Sequence, residues 1–154
     1  MFTKPYMLVW AFFLLVGPVQ SLFAQISGGD QLMTVTTAVI GSEPVAVTNT
    51  LTTLTYSRVS GQLSKITVTT VCLGQHFTLR VLATGTLTNG TAAPQVTLTN
   101  GMAATDFIRD ILKTGQKDNN TATLQYTASS TFAQGNSAEL GDDVHTVSYT
   151  IVAQ

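Results

Sequence analysis

The chain has 154 residues, a formal net charge of −1 and only 10% charged side chains. That length fits one domain. With no cluster of Lys or Arg there is nothing to neutralise a phosphate backbone, which sets nucleic acid aside as a partner. A single cysteine, Cys72, rules out an intramolecular disulfide.

In chain order the first element is an export signal. Lys4 is the one charge ahead of an apolar run from Met7 to Val16; Gly17-Pro18 then breaks any helix, and Ser21-Leu22-Phe23-Ala24 places small residues three and one before a cut. A basic start, a short apolar core and an A-x-A-like site, in that order, read as a cleavable signal peptide over residues 1–24. A membrane-spanning helix needs about 20 apolar residues, far more than this run supplies. No membrane span is expected after cleavage, and no cysteine lies at the cut to carry a lipid. The exported domain, Gln25 to Gln154, is expected to be secreted, periplasmic or at the cell surface. In it 26 of 130 residues are threonine. Threonine is β-branched, favours extended backbone and still offers a hydroxyl to water, so it replaces charge on the surface of a sheet protein.

Period-2 alternation governs the exported domain. Leu32–Ile40 and Ala46–Tyr56 read as strands separated by the turn Gly41-Ser-Glu-Pro44. Leu63–Leu73 and His76–Leu87 flank Gly74-Gln75, which fits a two-residue hairpin turn whose first central residue needs positive φ. Gln95–Thr99 is a short strand. Thr105–Thr114 departs from the pattern: Phe107, Ile108, Ile111 and Leu112 have helical spacing, Thr105 can cap, and Asp106 and Lys113 complement the two ends of a helix. In Ala122–Phe132 one face carries Ala122, Leu124, Tyr126, Ala128 and Phe132 while the other is polar. Val147, Tyr149 and Ile151 likewise alternate with Thr146, Ser148 and Thr150. The expected architecture is an all-β single domain over 25–154, a two-sheet antiparallel β-sandwich of about seven strands, Ig-like or pilin-like, with one short helix near 105–114.

No motif assembles a catalytic, cofactor or metal site. Asp143 and His145 share a strand face, as an Asp orienting a His would, but no nucleophile elbow accompanies them; they read as a polar pair at the mouth of the last strand. His76 reads as solvent-facing beside its turn, and Cys72 as a small apolar residue inside a strand. The two histidines and the cysteine have no zinc-ligand spacing. Glu139, Asp142 and Asp143 form an acidic loop of the kind that can bind calcium or simply face water. Asp106 and Asp110, four apart, are paired carboxylates on the expected helix, with Asp106 already used in capping. Asn89-Gly-Thr91 and Asn119-Asn-Thr121 match the glycosylation sequon.

The stretch from Gly141 to Ile151, a glycine followed by an alternating strand that includes Tyr149, resembles the carboxy-terminal strand of bacterial fimbrial subunits. It differs in that Tyr149 is not penultimate and no disulfide can form. The resemblance implies polymerisation by strand exchange. Export, a threonine-rich low-charge sandwich and this last strand together point to a non-catalytic structural or adhesin-like protein. Such a protein would be a subunit of a cell-surface filament or layer, self-associating through edge strands or binding other surface proteins. Leu32–Ile40, without Lys, Pro or inward charge, is the expected free edge. The alternative is a secreted carbohydrate-binding-like module, which would need Tyr56, Tyr149 or other aromatic residues on one exposed face. A hydrolase has no positive feature in its favour. If the export reading holds, intact mass of the exported protein should match residues 25–154, allowing for pyroglutamate at Gln25; a mature form that keeps Met7–Val16 contradicts it.

Overall fold

The computed structural model describes residues 24–36, 40–135 and 137–154. These form two antiparallel sheets packed into a sandwich, as the alternation predicts. The first sheet contains, in spatial order, β1 (Ala24–Ser27), β2 (Val47–Tyr56), β8 (Asn120–Ser129), β4 (Thr78–Thr84) and β6 (Val96–Leu98). The second contains β5 (Thr91–Ala92), β7 (Thr105–Ile111), β3 (Ser64–Val71) and β9 (Thr146–Ala153). A 3-10 turn at Phe132–Gln134 and the four-residue helix α1 (Ser137–Leu140) lie between β8 and β9. Among the described residues no helix is long and apolar enough to cross a membrane.

The core follows from alternation. Leu54 and Tyr56 of β2, Ala122, Leu124 and Tyr126 of β8, and Val81 and Ala83 of β4 are buried from one sheet; Ile66 and Val68 of β3 and Ile151 of β9 are buried from the other. Along β9 the expected in–out pattern holds, with Thr146, Ser148 and Thr150 exposed. Polar side chains also enter the interior, and two of them, Asn89 and Asn120, are tied down. Asn89 takes the Leu112 N–H and gives its amide to the Leu112 and Gln116 carbonyls. Asn120 gives its amide to the Tyr56 and Gln116 carbonyls and accepts from the Thr88 hydroxyl. Burial without such partners costs roughly 1–3 kcal/mol per group.

Four expectations are corrected, the simplest being Phe132: expected on the buried face of Ala122–Phe132, it lies beyond the end of β8 in the 3-10 turn and is exposed. Thr105–Thr114 is not a helix: Thr105–Ile111 is strand β7. Its register on β3 slips twice, since Ile66 faces Ile108 while Thr67 faces Asp106 and Ser64 faces Ile111. Each slip is a bulge that adds a residue on β7, and a bulge turns successive side chains to one side. Phe107, Ile108 and Ile111 therefore all point inward, reproducing helical spacing on a strand, and Leu112 is left exposed. Asp110, beside the second bulge, adopts φ 56, a left-handed conformation that no helix continues through.

Gly74-Gln75 is not a hairpin turn either. Gly74 has the expected positive φ of 72, but β3 and β4 belong to different sheets, so the link crosses between them. Gln75 holds it by donating to the Phe77 and Leu98 carbonyls and accepting from the Asn100 N–H.

Leu32–Ile40 supplies no edge strand. Leu32 to Thr36 alternates in burial but joins no ladder, and residues 37–39 lie outside the described residues. The edge beside β2 is taken by β1, which ends where Gly28 (φ 122) packs so closely that a Cβ would meet the Leu51 carbonyl oxygen at 2.8 Å. Residues 1–23 of the expected signal peptide also lie outside the described residues; Ala24 opens β1 opposite Tyr56.

Phe107 is fully buried, with its ring centroid 5.0 Å from that of Tyr149. Phe107→Ala should destabilise the domain by about 3–5 kcal/mol in chemical denaturation, through lost burial and the cavity left behind. A loss below about 1 kcal/mol would show that β7 is peripheral.

Candidate functional site

The unbroken β3–β9 ladder assembles a site that sequence separation conceals. All eight pairs from Ser64–Ala153 to Val71–Thr146 keep one register. The same register, continued one step past the ladder's last pair, brings Cys72 to the level of His145. Thr70 lies on β3, whereas Cys72, expected inside a strand, lies one residue beyond its end; both are buried, and Asp143 and His145 are half-buried on the chain entering β9. The ligand atoms of Cys72, Asp143 and His145 all lie within 4.8 Å of one another.

Each member is held. The Cys72 backbone N–H donates to Asn100 Oδ1 at 2.9 Å, fixing the end of β3. Asp143 accepts from the backbone N–H groups of His76, at 3.0 and 3.1 Å, and of Phe77 at 2.7 Å, so its carboxylate also anchors the crossover link. His145 Nδ1 sits 3.2 Å from the Thr70 hydroxyl, which donates to the Thr146 carbonyl at 3.3 Å. A hydroxyl has one proton: in the tautomer protonated at Nδ1, Thr70 accepts from Nδ1–H while donating to Thr146, and the imidazole lone pair is on Nε2.

The electrostatics are those of a partly dry corner. Burial pushes the Cys72 thiol up, the Asp143 carboxylate adds to this, and a hydrogen bond from the Val144 backbone opposes it. Burial also lowers His145 below its ordinary range, against the pull of Asp143. A thiol that resists ionisation is a poor nucleophile. His145 lies against the Thr70 hydroxyl, and the Asp143 carboxylate is turned to the His76 and Phe77 N–H groups. The donor set of sulfur, imidazole nitrogen and carboxylate oxygen is instead that of a transition-metal ligand group.

Asp143 and His145 also line an open cleft of about 1390 Å³ at this end of the sandwich, together with Met33, Phe77, Tyr126 and Phe132. Thr52 lines it too, and its hydroxyl is buried with no hydrogen-bond partner among the described residues.

The other sequence candidates go separate ways. His76 is exposed, as expected. Among the described residues Glu139, Asp142 and Asp143 do not converge on a common point, because Asp143 turns toward His76 and Phe77. Asp106 pairs with Lys65 at 2.7 Å, whereas Asp110 bonds Gln154, so the two carboxylates do not work together. Of the two sequons, Asn89 is buried and fully bonded, while Asn119 stands exposed at φ 59. Tyr56 is fully buried, and Tyr149 points inward to a hydroxyl–hydroxyl bond of 2.9 Å with Tyr126. Tyr56 and Tyr149 therefore share no exposed face.

Cys72 is only 1% exposed. A bulky thiol reagent should label it slowly in the native protein and fast after denaturation; rapid native labelling would show that the end of β3 opens. Comparison with protein-family models, curated proteins and solved structures gives no match, so the reading of this chain rests on its own residues.

Proposed function

We propose that the chain is an exported, non-catalytic structural domain that associates with further copies of itself through the free edge of β9, as a building unit of a cell-surface filament or layer. The observation that carries this reading is the character of that edge. β9 is eight residues long, Thr-Val-Ser-Tyr-Thr-Ile-Val-Ala, and lies outermost in its sheet. It has no charge, no proline and no bulge, the devices by which sheet edges are normally blunted. The remaining edge strands, β1, β5 and β6, have four, two and three residues. The half of β2 beyond β1 is interrupted by a bulge between Asn49 and Thr52.

The outward groups can be assigned. Gln154 N–H donates to the Leu63 carbonyl, which makes that pair hydrogen-bonded and fixes the alternation along the ladder. Val147, Tyr149, Ile151 and Ala153 therefore aim their backbone N–H and C=O away from β3. A second copy meeting this edge antiparallel satisfies both edges at once, in a two-fold and self-complementary contact that closes as a dimer, the repeating unit of the filament or layer. With no charge on either strand there is no repulsion across the seam. The resemblance of Gly141–Ile151 to a fimbrial carboxy-terminal strand also points to the last strand as the element of association.

A secreted ligand-binding module is the second reading. It draws on the cleft beside Phe77 and Phe132, and not on an aromatic platform, since Tyr56 and Tyr149 are turned inward.

Scattering or sedimentation over a concentration series should show reversible self-association. Ala153→Pro removes one outward N–H while sparing the β3 ladder, and Thr150→Lys adds a charge beside the seam. Both should weaken association without lowering the melting temperature much. A strict monomer at high concentration, or association unchanged in both variants, overturns the proposal.

A further inference from the structure

The Cys72 corner goes beyond association through β9 and stands independently of it. We propose that Cys72, Asp143 and His145 form a binding site for one zinc-class divalent cation, with a fourth coordination position open toward the cleft.

The donor set selects the class of ion. A thiolate sulfur, an imidazole nitrogen and a carboxylate oxygen are the three ligand types that zinc combines in tetrahedral sites. Calcium and magnesium take oxygen ligands and would leave the sulfur and the nitrogen unused. Three protein ligands with a vacant fourth position is also the arrangement of zinc sites that accept a water or an exogenous ligand.

The geometry is close to what coordination needs. Bonds of about 2.3 Å to sulfur and about 2.0–2.2 Å to nitrogen and oxygen put donor atoms roughly 3.3–3.8 Å apart in a tetrahedron. Here all three donors lie within 4.8 Å of one another, so closure asks for shifts on the order of 1 Å. Asp143 and His145 are half-buried and lie at the cleft, where side-chain rotation can supply this.

The surrounding groups are those that orient metal ligands. A metal-bound histidine usually donates its other ring N–H to a neighbouring oxygen. In the tautomer protonated at Nδ1, the Thr70 hydroxyl takes that part and leaves Nε2 to the ion. Metal-bound carboxylates are themselves hydrogen-bonded, as Asp143 is by the His76 and Phe77 N–H groups. Asp143 Oδ1 accepts one of these bonds, which leaves it a lone pair. On binding, a bond forms between the metal and Cys72 Sγ, and the thiol proton leaves to solvent. The site joins the residue that follows the long β3–β9 ladder to the loop before β9, so an ion there would fasten the start of the edge strand to the end of β3.

The test uses untagged, reduced protein titrated with cobalt(II), which occupies zinc sites and reports its ligands by colour. One equivalent should bind with a thiolate-to-cobalt charge-transfer absorption in the near ultraviolet and be displaced by zinc, and zinc should raise the melting temperature. Cys72→Ser should abolish the charge-transfer band. His145→Gln should weaken binding by at least the roughly 10–100-fold that accompanies loss of even an outer-shell partner. Cobalt bound without the charge-transfer band, equal affinity in wild type and His145→Gln, or no binding at micromolar zinc would each overturn the site. The wild-type spectrum decides the matter even if a variant fails to fold.

Discussion

Strand β3 is paired along both sides, and the two sides differ in kind. Toward β7 the register slips twice; toward β9 it does not slip at all. The bulged side lets Phe107, Ile108 and Ile111 enter the core together, which a regular strand could not do. The regular side keeps β9 straight and carries the register past the end of the ladder, to the level where Cys72 meets His145. A single mismatch in β9 would break the alignment of that corner and also curl the edge, so two separate features of the molecule depend on one property of one ladder.

How much of this fold can be read from the sequence depends on whether alternation survives into three dimensions. In β8 and β9 it does, and Leu124, Tyr126, Val147, Tyr149 and Ile151 lie on the sides their spacing predicts. In β7 the bulges convert a period of two into apparent helical spacing, and local propensity cannot tell the two apart; the register on β3 decides it. At Gly74 the positive φ is legible from the residue, but which sheet the chain enters next depends on Gln75, Asn100 and Asp143, contributed by three separate loops. The Leu32 segment keeps strand-like alternation without a ladder; β1 covers Thr53–Tyr56 of β2, and the rest of that edge is interrupted by the bulge between Asn49 and Thr52.

The site is less legible than the fold, for a related reason. Asp143 and His145 can be grouped from their spacing alone. Cys72 joins them only through antiparallel pairing, which matches residues by the sum of their positions and leaves no local pattern in the chain. The signal that could have found it is the alternation of both segments continued past their ends: Thr70 with Cys72 on one, His145 with Val147 on the other. Similarly, Asn89 looks like a modification site in its tripeptide, yet its amide is occupied by residues 112 and 116.

The order of pairing bears on how the chain reaches this state. β3 is complete by residue 71, but its regular partner begins at residue 146, the last strand of the chain. β2 likewise waits for β8. Almost every ladder joins segments far apart in sequence, so loop-closure entropy must be met before the contacts that offset it exist, and folding belongs to the slow, high-contact-order class. Throughout that interval one side of β3 stands open. The place that β9 fills is available to any strand that reaches it first, including the β9 of a neighbouring chain.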